Sequence, residues 1–135
     1  MELEIKNILD RGNLEKERII FTPTIDLPIG NYIALCTSKS PVGPTSVSGG
    51  VIKNSYWFPD ADVKVKDLVV LYTKVGINNV KENADGTKTY FYYWYRATPL
   101  WGDDNSALVI ANILDWSFKI ASTEAKPPTE GTPAA

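Results

Sequence analysis

Residues Ser55 to Thr73 read SYWFPDADVKVKDLVVLYT, and their pattern decides the fold class. A first run ends in Tyr56, Trp57 and Phe58. Pro59 stops it, because proline has no amide donor for a sheet ladder, and Asp60 continues the stop. Val63 and Val65 begin a new alternation after a polar turn, and Leu68 to Tyr72 is a second apolar strand. Two large apolar strands so close together require a shared core.

The rest of the chain extends this β pattern. Met1 to Asn7 alternates, with Leu3 and Ile5 on one face and Glu2, Glu4 and Lys6 on the other. Asp10 to Asn13 is a turn, and Glu15-Lys16-Glu17-Arg18 reads as a solvated strand entrance. Glu17 to Thr22 is a strand limited by Pro23, 26–31 is a turn, and Tyr32 to Thr37 is the next strand. Residues 38–50, SKSPVGPTSVSGG, bury too little apolar area to offset their ordering entropy and are expected to form an exposed loop. Residues 78–88 read as a polar hairpin connection with its tight turn at Asp85-Gly86. Tyr90 to Tyr95 is a strand of six consecutive aromatics; alternation puts Tyr90, Tyr92 and Trp94 on one face and Phe91, Tyr93 and Tyr95 on the other. After a turn at Thr98 to Gly102, Ala107 to Asn112 and Trp116 to Ile120 read as the last two strands, with Asp115 at the entry anchoring a core Trp116.

With no amphipathic helix, the expectation is an all-β, antiparallel, immunoglobulin-like β-sandwich of about eight strands, a single domain over 1–122. Residues 123–135, which include Pro127 and Pro128, are expected to be a flexible proline-rich arm. The 135 residues are enough to bury a core without disulfides.

Composition narrows the chemistry. The hydrophobic fraction of 44% and charged fraction of 22% suit an ordinary globular domain, and no apolar run approaches the roughly 20 residues of a membrane-spanning helix. The amino terminus, MELEIKN, lacks the basic-then-apolar pattern of a secretory signal. The net charge is −2, with 14 basic and 16 acidic residues interspersed, so no basic stripe exists for duplex nucleic acid. The one cysteine, Cys36, lies in an apolar run and reads as an inert core thiol. Histidine is absent, which removes the usual nucleophile–base pairs and histidine metal sites. Carboxylates remain: Asp60 with Asp62 and Asp103 with Asp104 have the oxygen-rich pairing that a calcium site or a glycosidase needs. Both pairs lie in turns, where aspartate accepts backbone amide hydrogen bonds, and turn capping is the simpler reading. No cofactor or metal is expected.

The order Trp57-Phe58-Pro59, polar turn, apolar strand ending Tyr72-Thr73, aromatic strand with Trp94, then Pro99-Leu100-Trp101-Gly102-Asp103-Asp104-Asn105 leading into Ala107 to Ile110 resembles the lamin tail domain family. The resemblance covers roughly Tyr56 to Trp116. Lys66, ahead of Asp67, stands where that family usually has a glycine, and Gly102 to Asn105 replaces its asparagine-glycine-aspartate step. The resemblance implies an immunoglobulin-like sandwich and a non-catalytic contact role, of the kind found in nuclear lamins, bacterial surface proteins and small stand-alone bacterial or phage proteins.

The expected function is therefore that of a non-enzymatic structural protein. Its preferred form is a virion protein that decorates or cements a phage capsid by binding neighbouring capsid subunits; the alternative location is the bacterial cytoplasm, as a generic protein-binding module. Self-association into a homo-oligomer is a further option. Candidate contact residues are Tyr92, Trp94 and Trp101 among the rings, Pro41, Val42 and Pro44 in the loop, and Pro127 and Pro128 in the arm. A carbohydrate-binding or adhesive module would use Tyr92, Trp94 and Trp101 as a stacking platform.

Overall fold

The computed structural model describes residues 1–42, 46–47 and 52–122. Ten strands run in order: β1 (Leu3–Leu9), β2 (Arg18–Pro23), β3 (Leu27–Pro28), β4 (Tyr32–Ser38), β5 (Asn54–Trp57), β6 (Asp62–Val63), β7 (Leu68–Tyr72), β8 (Asn79–Glu82), β9 (Lys88–Tyr93) and β10 (Ser106–Asn112). A 3-10 turn, Ile29–Asn31, precedes β4. The protein is all-β, and among the described residues no helix is long and apolar enough to cross a membrane.

The strands form a five-stranded sheet in the order β1-β2-β7-β9-β8, a three-stranded sheet β10-β4-β5 and a small pair β3-β6. One core joins them. Phe21 of β2, Val69 and Leu71 of β7, and Tyr90 and Tyr92 of β9 meet Ala34 and Cys36 of β4 and Phe58 just after β5. Phe58 stands edge-on to Phe21 at 5.7 Å and to Tyr92 at 5.3 Å, so the ring that closes the opening stretch bridges the two sheets. Burying each such side chain stabilises the fold by roughly 1.5–3 kcal/mol. Cys36 is buried there, and burial pushes its thiol pKa up.

The sheets are not purely antiparallel: β9 runs parallel to β7, from Leu68↔Thr89 to Tyr72↔Tyr93. The cause is an extra strand. Asn79–Glu82 forms β8, antiparallel to β9 and wholly exposed, inside the stretch expected to be only a connection. Its residues are polar because it is an edge, and that hides it from a search for apolar alternation. The tight turn does fall at Asp85-Gly86, where Gly86 has φ 86° and Asn83 accepts the Gly86 amide. The stretch 26–31, expected to be a turn, likewise holds β3 and the 3-10 turn.

Two alternations break where the backbone turns. A bulge between Ile5 and Asn7 shifts the phase of β1, so that Ile8 beyond it packs on the core, while Leu3 is buried and Ile5, beside the bulge, is exposed. Val63 is buried but Val65 is exposed, because Lys66 takes φ 75° in the left-handed region, where glycine fits without a β-carbon clash. The Asp67 carboxylate fixes this turn, accepting from the Lys64 amide at 2.9 Å and the Lys88 amide at 2.9 Å.

Trp116 to Ile120 is not a strand. The chain passes the start of β4 at the Asn112↔Tyr32 pair and the Ile113 N–H···O=C Asn31 bond, beyond which β4 offers nothing to pair with. Trp116 is accordingly half exposed and does not enter the core.

The charge run at 15–18 also differs from expectation. Glu17 is 0% exposed, and its carboxylate accepts four hydrogen bonds: from the Gly12 amide (2.8 Å) and the Trp101 amide (3.1 Å) at Oε1, and from the Leu100 amide (2.9 Å) and the Thr73 hydroxyl (2.5 Å) at Oε2. Gly12 and Gly102 approach so closely beside it that a β-carbon on Gly102 would fall 3.0 Å from the Gly12 Cα. Glu17→Gln keeps the shape but turns an NH2 toward two of these donors. It is expected to lower stability in urea unfolding by about 2 kcal/mol. Glu15→Gln, which loses only an exposed 3.6 Å ion pair with Lys74, should stay within about 0.5 kcal/mol. Equal effects would contradict the buried hub.

Candidate functional site

The aromatic strand sends Tyr90, Tyr92 and Trp94 inward, as alternation requires. Tyr92 is 5%, Trp94 7% and Trp101 1% exposed, and Trp94 and Trp101 pack edge-on at 6.0 Å. The Trp94 indole N–H donates to Asn54 Oδ1 at 2.7 Å. These three rings are core, so the contact face or sugar platform expected of them is not available at the surface of the chain. On the opposite face Tyr72, Phe91 and Tyr93 stack at half burial, with the Lys74 ammonium 5.0 Å from the Tyr72 ring centroid. Gly76 lies over Tyr93, and a β-carbon there would meet the ring at 2.3 Å.

The loop residues are placed differently. Ser40 and Ser46 are joined through a 2.8 Å backbone bond, and Lys39 and Val47 through an isolated bridge. Pro41 and Val42 stand exposed at this tip, on the lip of an open cleft that also includes Lys39, Lys53 and Asp103. Pro44, Pro127 and Pro128, with the expected arm, lie outside the described residues.

One aspartate of the two pairs caps its turn. Asp103 Oδ1 accepts the Asn105 amide at 2.8 Å, and Asp104 forms an exposed 3.0 Å ion pair with Arg11. Arg11 also donates through Nε to the Trp101 carbonyl at 2.7 Å, tying this turn to the Glu17 hub. The Asp60 side chain packs against Gly30, and Asp62 offers its carbonyl to the Tyr90 hydroxyl at 3.1 Å. Among the described residues no group of three acidic or thiol side chains converges as a metal site would require.

A small apolar pocket of about 210 Å³ lies between Pro59, Val80, Tyr90 and Tyr92. It is below the usual size of a small-molecule site, about 300–1,000 Å³.

A row of exposed apolar side chains follows β10. Leu114 is 88%, Trp116 54%, Phe118 76% and Ile120 77% exposed, at every second position. Trp116 rests edge-on against Trp57 at 4.8 Å, and the Trp57 indole N–H donates to the Gly30 carbonyl at 2.7 Å. Alternation in β4 places Ile33 and Leu35 away from the core, together with their ladder partners Trp57, Ala111 and Val109. Trp57, this row of four and the outward Ile33, Leu35, Val109 and Ala111 of the three-stranded sheet are apolar side chains left exposed or half-buried. The alternation from Trp116 to Ile120 was visible in the sequence. Leu114 and the exposure of Trp57 were missed, because alternation does not say whether a partner strand exists.

Burial also tunes the phenols. Tyr92 is pushed up to about 12, first by burial and then by Tyr56 and Tyr90. Tyr32, Tyr56 and Tyr90 are raised as well, each mainly by burial. No protein-family model matches the chain, and comparison with curated proteins and with solved structures finds none similar.

The unfolded chain ionises its phenols from the ordinary 10.0, before the folded chain does. The stability tied to a neutral Tyr92 is therefore whole below pH 10 and is lost as pH rises through about 12. Tyrosinate absorbance followed with circular dichroism should show Tyr92 ionising last, together with loss of the fold, and Tyr92→Phe should remove that last step. Complete tyrosinate formation in a still-folded chain would contradict the buried assignment.

Proposed function

We propose that the protein is a non-enzymatic structural protein that works by contact. In this reading it is an immunoglobulin-like sandwich of the lamin tail kind, set in a virion as a decoration or cement protein bound to neighbouring phage capsid subunits. The observation that carries the contact role is the exposed row Leu114, Trp116, Phe118 and Ile120, held at one end of a tightly packed domain. Large apolar side chains in a contiguous exposed patch are costly to leave in water and mark interaction surfaces; aromatic anchors supply much of the binding energy there.

The acidic groups support the same reading from the other side. Glu17, Asp67 and Asp103 are engaged in holding turns and loops, and histidine, the commonest general base, is absent. The virion setting rests on the kind of chain: a compact domain with a proline- and glycine-rich loop and a proline-rich carboxy-terminal stretch suited to reach across neighbouring subunits.

Co-sedimentation with heads assembled from a capsid protein encoded beside this chain tests the proposal. The wild type should pellet with the heads, and Phe118→Lys should weaken binding by about tenfold or more with the fold unchanged. Failure to bind heads, together with glycan-array binding that disappears on Trp116→Ala, would replace the virion role by a carbohydrate-binding one.

A further inference from the structure

The open sheet edges of this chain are not alike. β1 carries Glu4 and Lys6 and a bulge, and β8 is four residues long with Lys81 and Glu82. β5 is equally short, and the β3-β6 pair contains Pro28. Charges, bulges, shortness and proline all discourage a sheet edge from pairing with another chain. β10 has none of them: it is seven residues, SALVIAN, without charge or proline, and its outer edge has no ladder among the described residues.

The segment that follows is the complement of that edge. Residues 114–120 have the alternation of a half-buried strand, yet they make no backbone hydrogen bond among the described residues. They do not pair with β10 of their own chain: they continue directly from it past the start of β4, and Trp116 rests on Trp57 of β5, on the far side of β4 from the open edge.

We propose that this segment pairs with β10 of a second copy. The pairing is antiparallel and reciprocal about a two-fold axis near Ile113, so that each chain completes the other's three-stranded sheet. The inference rests on reading 114–120 as a contact element and names its partner. Residues directly opposite in a ladder share a face, so registers fall into two classes. One places Trp116 and Phe118 of one copy beside Ile110 and Leu108 of the other, and Asp115, Ser117 and Lys119 beside Ala111, Val109 and Ala107. The other class would set Asp115 and Lys119 on the side of the core. Burying charge is unfavourable, so the first class is selected. It also accounts for Leu108 and Ile110, which pack on the core but remain only partly buried in the single chain. The exchange gives up the Trp57–Trp116 ring contact and satisfies two open edges at once. Because the same surface serves both copies, the assembly closes as a dimer and does not extend.

Sedimentation equilibrium of the full chain should give twice the 15.0 kDa of one copy at micromolar concentration. Phe118→Lys with Ile120→Lys changes exposed side chains and should return the mass to one copy with unchanged circular dichroism. In the selected register Val109 faces Ser117 of the other copy, and opposed strand residues lie within disulfide reach, about 4.5–5.5 Å between Cα atoms. Val109→Cys with Ser117→Cys should therefore form an interchain disulfide on mild oxidation. A wild type at the mass of one copy, or a doubled mass untouched by Phe118→Lys with Ile120→Lys, overturns the dimer. A single-copy mass with head binding that is still lost on Phe118→Lys overturns the dimer and leaves the contact role standing. A doubled mass without head binding supports the dimer and contradicts the capsid role.

Discussion

A buried carboxylate with four hydrogen-bond donors around it sets the frame of this protein. Glu17 enters the interior just before β2 and holds the turn at Gly12, the end of β7 at Thr73 and the loop at Leu100 and Trp101. Charge-assisted hydrogen bonds of this kind are among the stronger polar contacts, and losing the acceptor would leave several buried donors unsatisfied. The consequence reaches far along the chain. With Leu100 and Trp101 fixed, Trp101 packs against Trp94, and Ser106 begins β10 in register with Ser38 of β4. A polar contact near residue 17 thus places the edge strand ninety residues later.

That placement separates a finished side of the molecule from an unfinished one. The five-stranded sheet ends in a bulged, charged edge and a short, charged edge, and its outer rings are stacked and partly covered. The three-stranded sheet ends in an uncharged seven-residue edge, turns an apolar face outward, and is followed by a strand-like segment without a ladder among the described residues. Phe58 and Tyr92 join the sheets in the interior, while Trp57, Trp116 and Phe118 stand exposed beside or beyond the three-stranded sheet. The proposed contact role rests on this division.

Much of the fold was legible because alternation reports burial directly. Leu68 to Tyr72 matches β7, Tyr90, Tyr92 and Trp94 are the inward rings, and the Asp85-Gly86 turn falls in place. What stayed hidden depends on tertiary partners. Glu17 looked solvated because nothing in its neighbourhood reveals donors at Leu100 and Trp101. β8 was masked by its polarity, and the parallel β7-β9 pairing followed from it. The candidate site was less legible than the fold. Tyr92, Trp94 and Trp101 belong to the core, while the apolar row from Leu114 to Ile120 has the period of a strand but no ladder partner among the described residues. Sequence period specifies what a strand needs and not whether the same chain provides it.

Backbone hydrogen exchange resolved by residue is the most direct measurement of this division. In dilute chains the amides of 114–120 should exchange at unprotected rates while those of β4 and β7 are strongly protected; raising the concentration into the assembled range should protect 114–120 together with the outer edge of β10. Protection of 114–120 in the dilute single chain, or none at any concentration, would contradict the account.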